Sequence, residues 1–238
     1  MSTTFVNIQT PESRIIKSGL VLWLQSNISS SHSGGSTWYD ISGNGKTSSF
    51  VGTVPIVDGG FKTSGSQVTN YIVLPHEVFS SLSINKWTAE IVIKLGTTSG
   101  TTYFMSMANT SDSNLFIMEK AANIIRPWAA STSDTELTFT AGETLHLVMR
   151  KPVGGGNGMR LFKNGEIGPY YPGGGGVGKD QTTVEGWVMN QEQDSVLGGF
   201  SSSQATDMTT YEVRIYNRYL EPEEVANNFE AIRGRYGI

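Results

Sequence analysis

Hydrophobic positions in this chain recur mostly with a period of two. Trp87, Ala89, Ile91, Ile93 and Leu95 alternate with Thr88, Glu90, Val92 and Lys94. Successive side chains of a strand point to opposite faces, so this segment reads as a half-buried strand, apolar on one face and mostly polar on the other. Leu145, Leu147 and Met149 repeat the pattern against His146 and Arg150, and Tyr211, Val213 and Ile215 repeat it against Glu212 and Arg214. On this reading His146 leaves the apolar face as a surface or sheet residue. Shorter strands are expected at 20–24, 71–74, 103–107 and 115–119. The pair Asn164-Gly165 separates 159–163 from 166–170. Asn and Gly tolerate the positive φ of a type I′ turn, which predicts a hairpin there.

A helical period appears near the end of the chain. Pro222 suits a first helical position, and Glu223 and Glu224 put negative charge at the positive end of the helix dipole. Val225, Phe229 and Ile232 then form one apolar stripe, and Gly234 is a natural stop. Strands spaced by Gly- and Ser-rich turns, with one terminal helix, predict a sandwich or barrel. Residues 1–17 carry no core pattern and read as an arm ahead of a single domain at 18–238.

Composition narrows the function. Hydrophobic residues make up 37% of the 238, enough for a sizeable core, and charged residues only 16%, which argues against disorder. The net charge is -4 and the Lys and Arg residues form no stripe, so no nucleic acid partner is expected. The absence of Cys excludes a disulfide scaffold, a thiolate metal site and a Cys nucleophile. The opening MSTTFVNIQTPESR has no positive n-region ahead of an apolar core, so no signal peptide is expected. No apolar run approaches the ~20 residues needed to span a bilayer, and no membrane insertion is expected.

Several segments resemble one family in the right order. Leu20-Val21-Leu22-Trp23-Leu24 precedes Trp38-Tyr39-Asp40-Ile41-Ser42-Gly43-Asn44-Gly45. The run 87–95 resembles an inner core strand, and 145–150 followed by Met159-Arg160-Leu161-Phe162-Lys163-Asn164-Gly165 resembles a family hairpin. Val196-Leu197-Gly198-Gly199 resembles a strand ending in a glycine pair. Glu212-Val213-Arg214-Ile215-Tyr216-Asn217-Arg218-Tyr219-Leu220 resembles the closing strand. The chain resembles the laminin-G-like branch of the concanavalin A-like lectin/glucanase superfamily over about residues 18–235. The resemblance implies an all-β, two-sheet antiparallel jelly-roll sandwich with one short C-terminal helix. The "WYDISGNG" opening and the "NFEAIRGRYG" ending are similar to those of tailed-bacteriophage virion proteins. They imply a non-enzymatic structural protein of the virion, made in the host cytoplasm, that serves as a capsid decoration, knob, fibre or tail appendage. It would contact other virion proteins through the arm at 1–17 and be oligomeric in the particle. The alternative is a carbohydrate-binding module for a cell-surface or environmental glycan, and a third reading is a divergent glycosidase.

Asp40 and Asn44, with Ser42 and Gly43, could supply oxygens to a calcium ion. The same residues also make a tight turn without a metal, and the turn is favoured because no second acidic cluster adjoins it. Trp128, Trp187, Tyr170 and Tyr171 lie near loops and are candidates for stacking on sugar rings, against the plainer roles of core packing or subunit contact. Trp23, Trp38 and Trp87 read as core. Glycoside hydrolysis needs two carboxylates flanking the bond. The superfamily's enzymes carry theirs as Glu-x-Asp-x-Glu on one strand face, a pattern that Glu185, Glu192 and Asp194 do not match. Gly173, Gly178 and Lys179 mimic a phosphate loop, but Asp180 replaces its Ser or Thr and no helix follows. His32, His76 and His146 have no His or Cys at metal-ligand spacing.

Overall fold

A computed structural model describes residues 10–63, 70–75, 77–78, 82, 86–96, 101–107, 116–121, 123–128, 137–151, 160–168, 195–198 and 206–238. The strands are β1 Leu20–Gln25, β2 Thr37–Tyr39, β3 Thr47–Val51, β4 Ile56–Val57, β5 Gly60–Thr63, β6 Tyr71–Leu74, β7 Trp87–Leu95 and β8 Thr101–Met107. They continue as β9 Phe116–Ala121, β10 Ile124–Trp128, β11 Leu137–Thr138, β12 Thr144–Lys151, β13 Arg160–Lys163, β14 Glu166–Ile167, β15 Ser195–Leu197 and β16 Met208–Tyr216. Two helices flank them, α1 Pro11–Arg14 and α2 Pro222–Tyr236.

The strands form two eight-stranded antiparallel sheets. The back sheet runs β14-β13-β12-β7-β16-β5-β4. β1 also pairs with β16, so β5 and β1 share one edge of that long strand, β5 opposite Met208–Thr210 and β1 opposite Glu212–Tyr216. The front sheet runs β11-β10-β9-β8-β15-β6-β3-β2. This is an all-β jelly-roll sandwich closed by a C-terminal helix. The strands expected from periodicity are present, and the hairpin turns at Asn164 (φ 52°) and Gly165 (φ 81°) as a type I′ geometry requires. Among the described residues no helix is long and apolar enough to cross a membrane.

The core between the sheets is built from the apolar alternate positions, including Leu22, Leu24, Trp38, Phe61, Trp87 and Phe104. A second core lies outside the back sheet. There Val225, Ala231 and Ile232 of α2 pack on Trp23, Val92, Val148, Phe162 and Tyr216, joined by Ile15. The two-faced reading of 87–95 and of His146 is corrected here: Glu90 is 1% exposed, His146 and Thr88 0%. The helix covers the polar face of the sheet, so alternation of residue type survives while alternation of exposure is lost.

α2 begins at Pro222, behind a capping box in which Glu221 and Glu224 satisfy each other's backbone N–H groups. It runs through Gly234, the expected stop, to Tyr236, and Gly237 (φ 68°) supplies the left-handed cap. The added residues are held because the Tyr236 ring packs at a tilt against Tyr211, 5.6 Å between centroids, and its hydroxyl donates to Glu212 Oε2 at 2.8 Å. Residues 10–17, read from sequence as part of an arm without a core pattern, lie against α2. Ile15 is buried, the Ile16 N–H donates to Asn228 Oδ1 at 2.9 Å, and Glu12 pairs with Arg235.

Candidate functional site

The Asp40 turn is the best-defined local motif. Asp40 Oδ1 accepts the backbone N–H groups of Trp23 (2.9 Å) and Ser42 (2.8 Å). Its Oδ2 accepts the Ser42 hydroxyl (2.7 Å) and the Lys46 N–H (3.4 Å). Asn44 Nδ2 donates to the Leu20 carbonyl (3.0 Å) and to Ser42 Oγ (2.8 Å). Both carboxylate oxygens therefore close the turn and tie it to β1. Among the described residues no three His, Cys, Asp or Glu side chains converge as a metal-binding group.

Gly45 and Lys46, directly after this turn, border a groove of about 360 Å3 on the outer face of the front sheet. It is lined by Gly45 and Lys46 at the end of the turn, Thr47 and Ser49 of β3, Val73 and Leu74 of the neighbouring β6, and Pro75 and Glu77 after it. Strand alternation explains the composition. Ser48 and Phe50 face the core, so Thr47, Ser49 and Val51 face outward, and Ser49 lies opposite Val73. Thr47, Ser49 and Glu77 are exposed, while Lys46 and Val73 are half-buried. The groove draws on three separate stretches of chain. The sequence carries no local sign of it, since 46–49 is an unbroken polar run in which the buried Ser48 is as polar as its exposed neighbours.

The aromatic candidates separate. Trp187, Tyr170 and Tyr171 lie outside the described residues, as do His76, the loop at 173–179, Glu185, Glu192 and Asp194. Trp128 ends β10, where register sets it opposite Ile117. Ile117 lies opposite Ser106, Ser106 opposite Val196, and Val196 opposite Val73. Trp128 thus shares one cross-strand row with Val73 and Ser49, five strands from β3, about 24 Å at ~4.8 Å per strand. Trp23, Trp38 and Trp87 are buried, as read.

The back sheet holds a larger polar cluster that sequence reading did not anticipate. Arg214 donates through Nε to Glu90 Oε2 (2.6 Å) and through Nη1 to Glu212 Oε1 (2.7 Å). Glu212 Oε1 also accepts Trp23 Nε1–H at 2.7 Å. Lys17 places its ammonium 3.6 Å from the Trp23 ring centroid. His146 Nε2 lies 3.9 Å from Glu90 Oε1, and neither ring nitrogen has a hydrogen-bond partner among the described residues. Burial pushes the Glu90 carboxyl up, and burial with Arg214 nearby pushes His146 well below the usual histidine range. The two carboxylates hold Arg214 firmly charged, its pKa raised despite its burial. These acids resemble a catalytic pair in composition, but α2 and residues 10–17 seal them from solvent.

Fold and site together define a jelly-roll sandwich whose back sheet is covered by α2 and residues 10–17 and whose front sheet carries a polar groove among the described residues. No protein-family model matches the chain, and no curated protein matches it in sequence. Solved structures do share its fold. Trypanosoma rangeli sialidase in complex with the inhibitor DANA is similar at a TM-score of 0.65 and 17% identity, over 89% of this chain and 33% of that one. The binding domain of botulinum neurotoxin DC, solved in complex with rat synaptotagmin II, gives 0.62 and 12%, over 90% and 52%. A botulinum neurotoxin type C structure, described for its dependence on two ganglioside molecules in cell entry, gives 0.60 and 11%, over 90% and 51%. The chain spans about a third of the sialidase and half of the neurotoxin chains. At these identities the likeness is one of fold, shared by enzymes and binding domains alike.

Proposed function

We propose that this chain is a non-enzymatic recognition domain that binds a glycan through the outer face of its front sheet. The observation that carries the reading is the asymmetry of the sandwich. The back sheet is covered by α2 and residues 10–17, whereas β3 and β6 present a polar groove that no other described element covers. Ligand clefts are concave, with a few placed polar groups beside apolar surface, and the groove has both. The fold neighbours add support, since one of them is described with gangliosides. Burial of Glu90 and Glu212 supports a non-catalytic role, because a general acid and base must reach their substrate. A glycan array probed with the whole chain tests the proposal. Reproducible binding to a defined glycan class supports it, and a blank array overturns it. Hydrolysis of any bound glycan would return the chain to the enzymes.

A second reading rests on the resemblance of 38–45 and 228–237 to bacteriophage virion proteins. In it the domain is a decoration or appendage of a particle assembled in the host cytoplasm, attached to other virion proteins through residues 1–17. The position of residues 10–17 on the back of the sandwich supports this arrangement, because attachment there leaves the groove facing outward. Mass spectrometry of purified particles tests it. A fixed stoichiometry of this chain is expected, and its absence overturns the reading.

A further inference from the structure

We infer that the far half of α2 is an acid-sensitive latch. In mild acid, residues 228–236 swing off the back sheet together with residues 10–17, about the anchored start of the helix, while both sheets stay folded. The latch lies on the back of the sandwich and acts whatever the groove binds. Among the described residues the buried Glu, His and Arg side chains are Glu90, His146, Arg150, Glu212 and Arg214. All stand on the outer face of the back sheet, alternating with the inner-core residues of β7, β12 and β16. α2 contributes no residue to that inner core, so the sandwich keeps it when the helix lifts. The two ends of the helix are held differently. At its start the Leu220 N–H donates to Thr88 Oγ1 at 3.0 Å and the Leu220 carbonyl accepts from Arg150, while Arg218 grips both Glu224 oxygens at 2.6 and 2.7 Å. Mild acid leaves these charges alone, because Arg stays protonated and Arg218 holds Glu224 below the usual carboxylate range. Further along, Asn228 bonds Glu90, Tyr236 bonds Glu212, and the Phe229 ring stacks on His146, 5.9 Å between centroids.

His146 is the group that acid acts on. Neither ring nitrogen has a hydrogen-bond partner among the described residues, and an imidazolium needs two acceptors. From β7 it meets Glu90 at 3.9 Å, but both oxygens of that carboxylate already serve Asn228 and one serves Arg214. From β16 it meets the Arg214 cation, and from α2 the uncharged Phe229. From the turn before β14 it meets Asn164, whose Oδ1 accepts its backbone N–H at 3.0 Å. The other charges of this layer are engaged elsewhere, Glu230 with Arg233, Arg235 with Glu12 and Glu212, and Lys17 over Trp23. A proton on His146 would make a second buried cation beside Arg214, and the acceptors it needs are waters reached by opening. The closed state keeps His146 neutral well below the usual histidine range, whereas the open state protonates it near ~6.5. Closure therefore weakens as pH falls through that value. Burial raises the Glu90 carboxyl, which opposes this at lower pH.

Hydrogen exchange of the whole chain, read by mass spectrometry, tests the latch, because local openings show as protection lost in one element and kept in others. Each protection factor is taken relative to the intrinsic exchange rate at its own pH. Between about pH 7.5 and 5.5, protection over 228–236 should fall about five- to tenfold, the full tenfold being the effect of one histidine freed to titrate near ~6.5. Protection over 87–95 and 145–150 should be unchanged. His146→Leu should abolish the fall in the helix. His146→Gln, also neutral at every pH, repeats the comparison should the leucine variant not fold. Helix and strands losing protection together would mean that the whole domain opens, and the latch is overturned. It is equally overturned if wild-type helix protection does not fall, or if a folded neutral variant keeps the fall.

Discussion

Asn228 of the C-terminal helix donates to both oxygens of the buried Glu90 carboxylate, at 3.0 and 3.1 Å. The same side chain accepts the Ile16 N–H and lies 3.0 Å from the Tyr216 hydroxyl. One helix residue thereby joins the back sheet, the N-terminal segment and α2. Asn228→Ala leaves a buried carboxylate short of donors and a backbone N–H without an acceptor. The expected cost is roughly 3 kcal/mol in urea denaturation, since each buried polar group left unsatisfied costs about 1–3 kcal/mol. A loss well below 1 kcal/mol would show that Glu90 finds other partners.

The same cluster sets a pH dependence. Burial, with Arg214 nearby, keeps His146 neutral in the folded chain far below the usual histidine range. The unfolded chain takes up that proton near pH 6.5. Below about pH 6.5 the unfolded state therefore holds more protons, and stability falls with pH by up to ~1.4 kcal/mol per unit for this one group. Burial raises the Glu90 carboxyl and acts with the opposite sign, because the folded state then takes up that proton first. Urea midpoints of wild type and His146→Leu, compared at pH 7.5 and 5.5, isolate the histidine. Wild type should lose about 1 kcal/mol more than the variant. Equal losses would sink the assignment.

Asp40 offers a test of the turn against the metal. Asp40→Ala removes the acceptor for three backbone N–H groups and one hydroxyl. A stability loss of about 2 kcal/mol is expected, together with weaker ligand binding, because the Lys46 wall of the groove loses its support. If turn closure is the carboxylate's role, the loss is equal in millimolar calcium and in EDTA. A wild-type melting temperature that rises with calcium would instead give Asp40 a metal.

Glycines with similar backbone angles separate strain from packing. Gly165 (φ +81°) and Gly142 (φ +87°) both sit in the left-handed region, but a Cβ on Gly165 would lie 2.9 Å from Phe229 Cδ1, whereas one on Gly142 meets nothing within 4 Å. Gly142→Ala should cost about 1 kcal/mol, the conformational penalty alone. Gly165→Ala should cost at least a further 1 kcal/mol as α2 is pushed outward. Equal costs would mean that Phe229 yields freely.

Periodicity located the long strands and the helix because β7, β12 and β16 alternate in residue type over most of their length. It misjudged exposure at Glu90 and His146, because no strand pattern says whether a distant helix will cover the polar face. The helix's own apolar stripe, Val225 and Ile232, told that it covers something, but not which sheet. The Asp40 turn was legible because its members lie within five residues of one another. The groove it supports was not, because Ser49 meets Val73 only through strand pairing between segments 24 residues apart in sequence. Short strands such as β4 and β11 were missed for a related reason: two residues carry no period, and they exist only because a neighbour pairs with them.

The contacts of Ile16 with Asn228 and of Glu12 with Arg235 bring the two ends of the described chain together on the back of the sandwich. A domain whose ends meet can be set into a longer polypeptide like a bead on a stem, or reconnected end to end and reopened at a loop, without disturbing either sheet. Its stem then departs from the side away from the groove, so copies mounted in an array would all turn the same working surface outward.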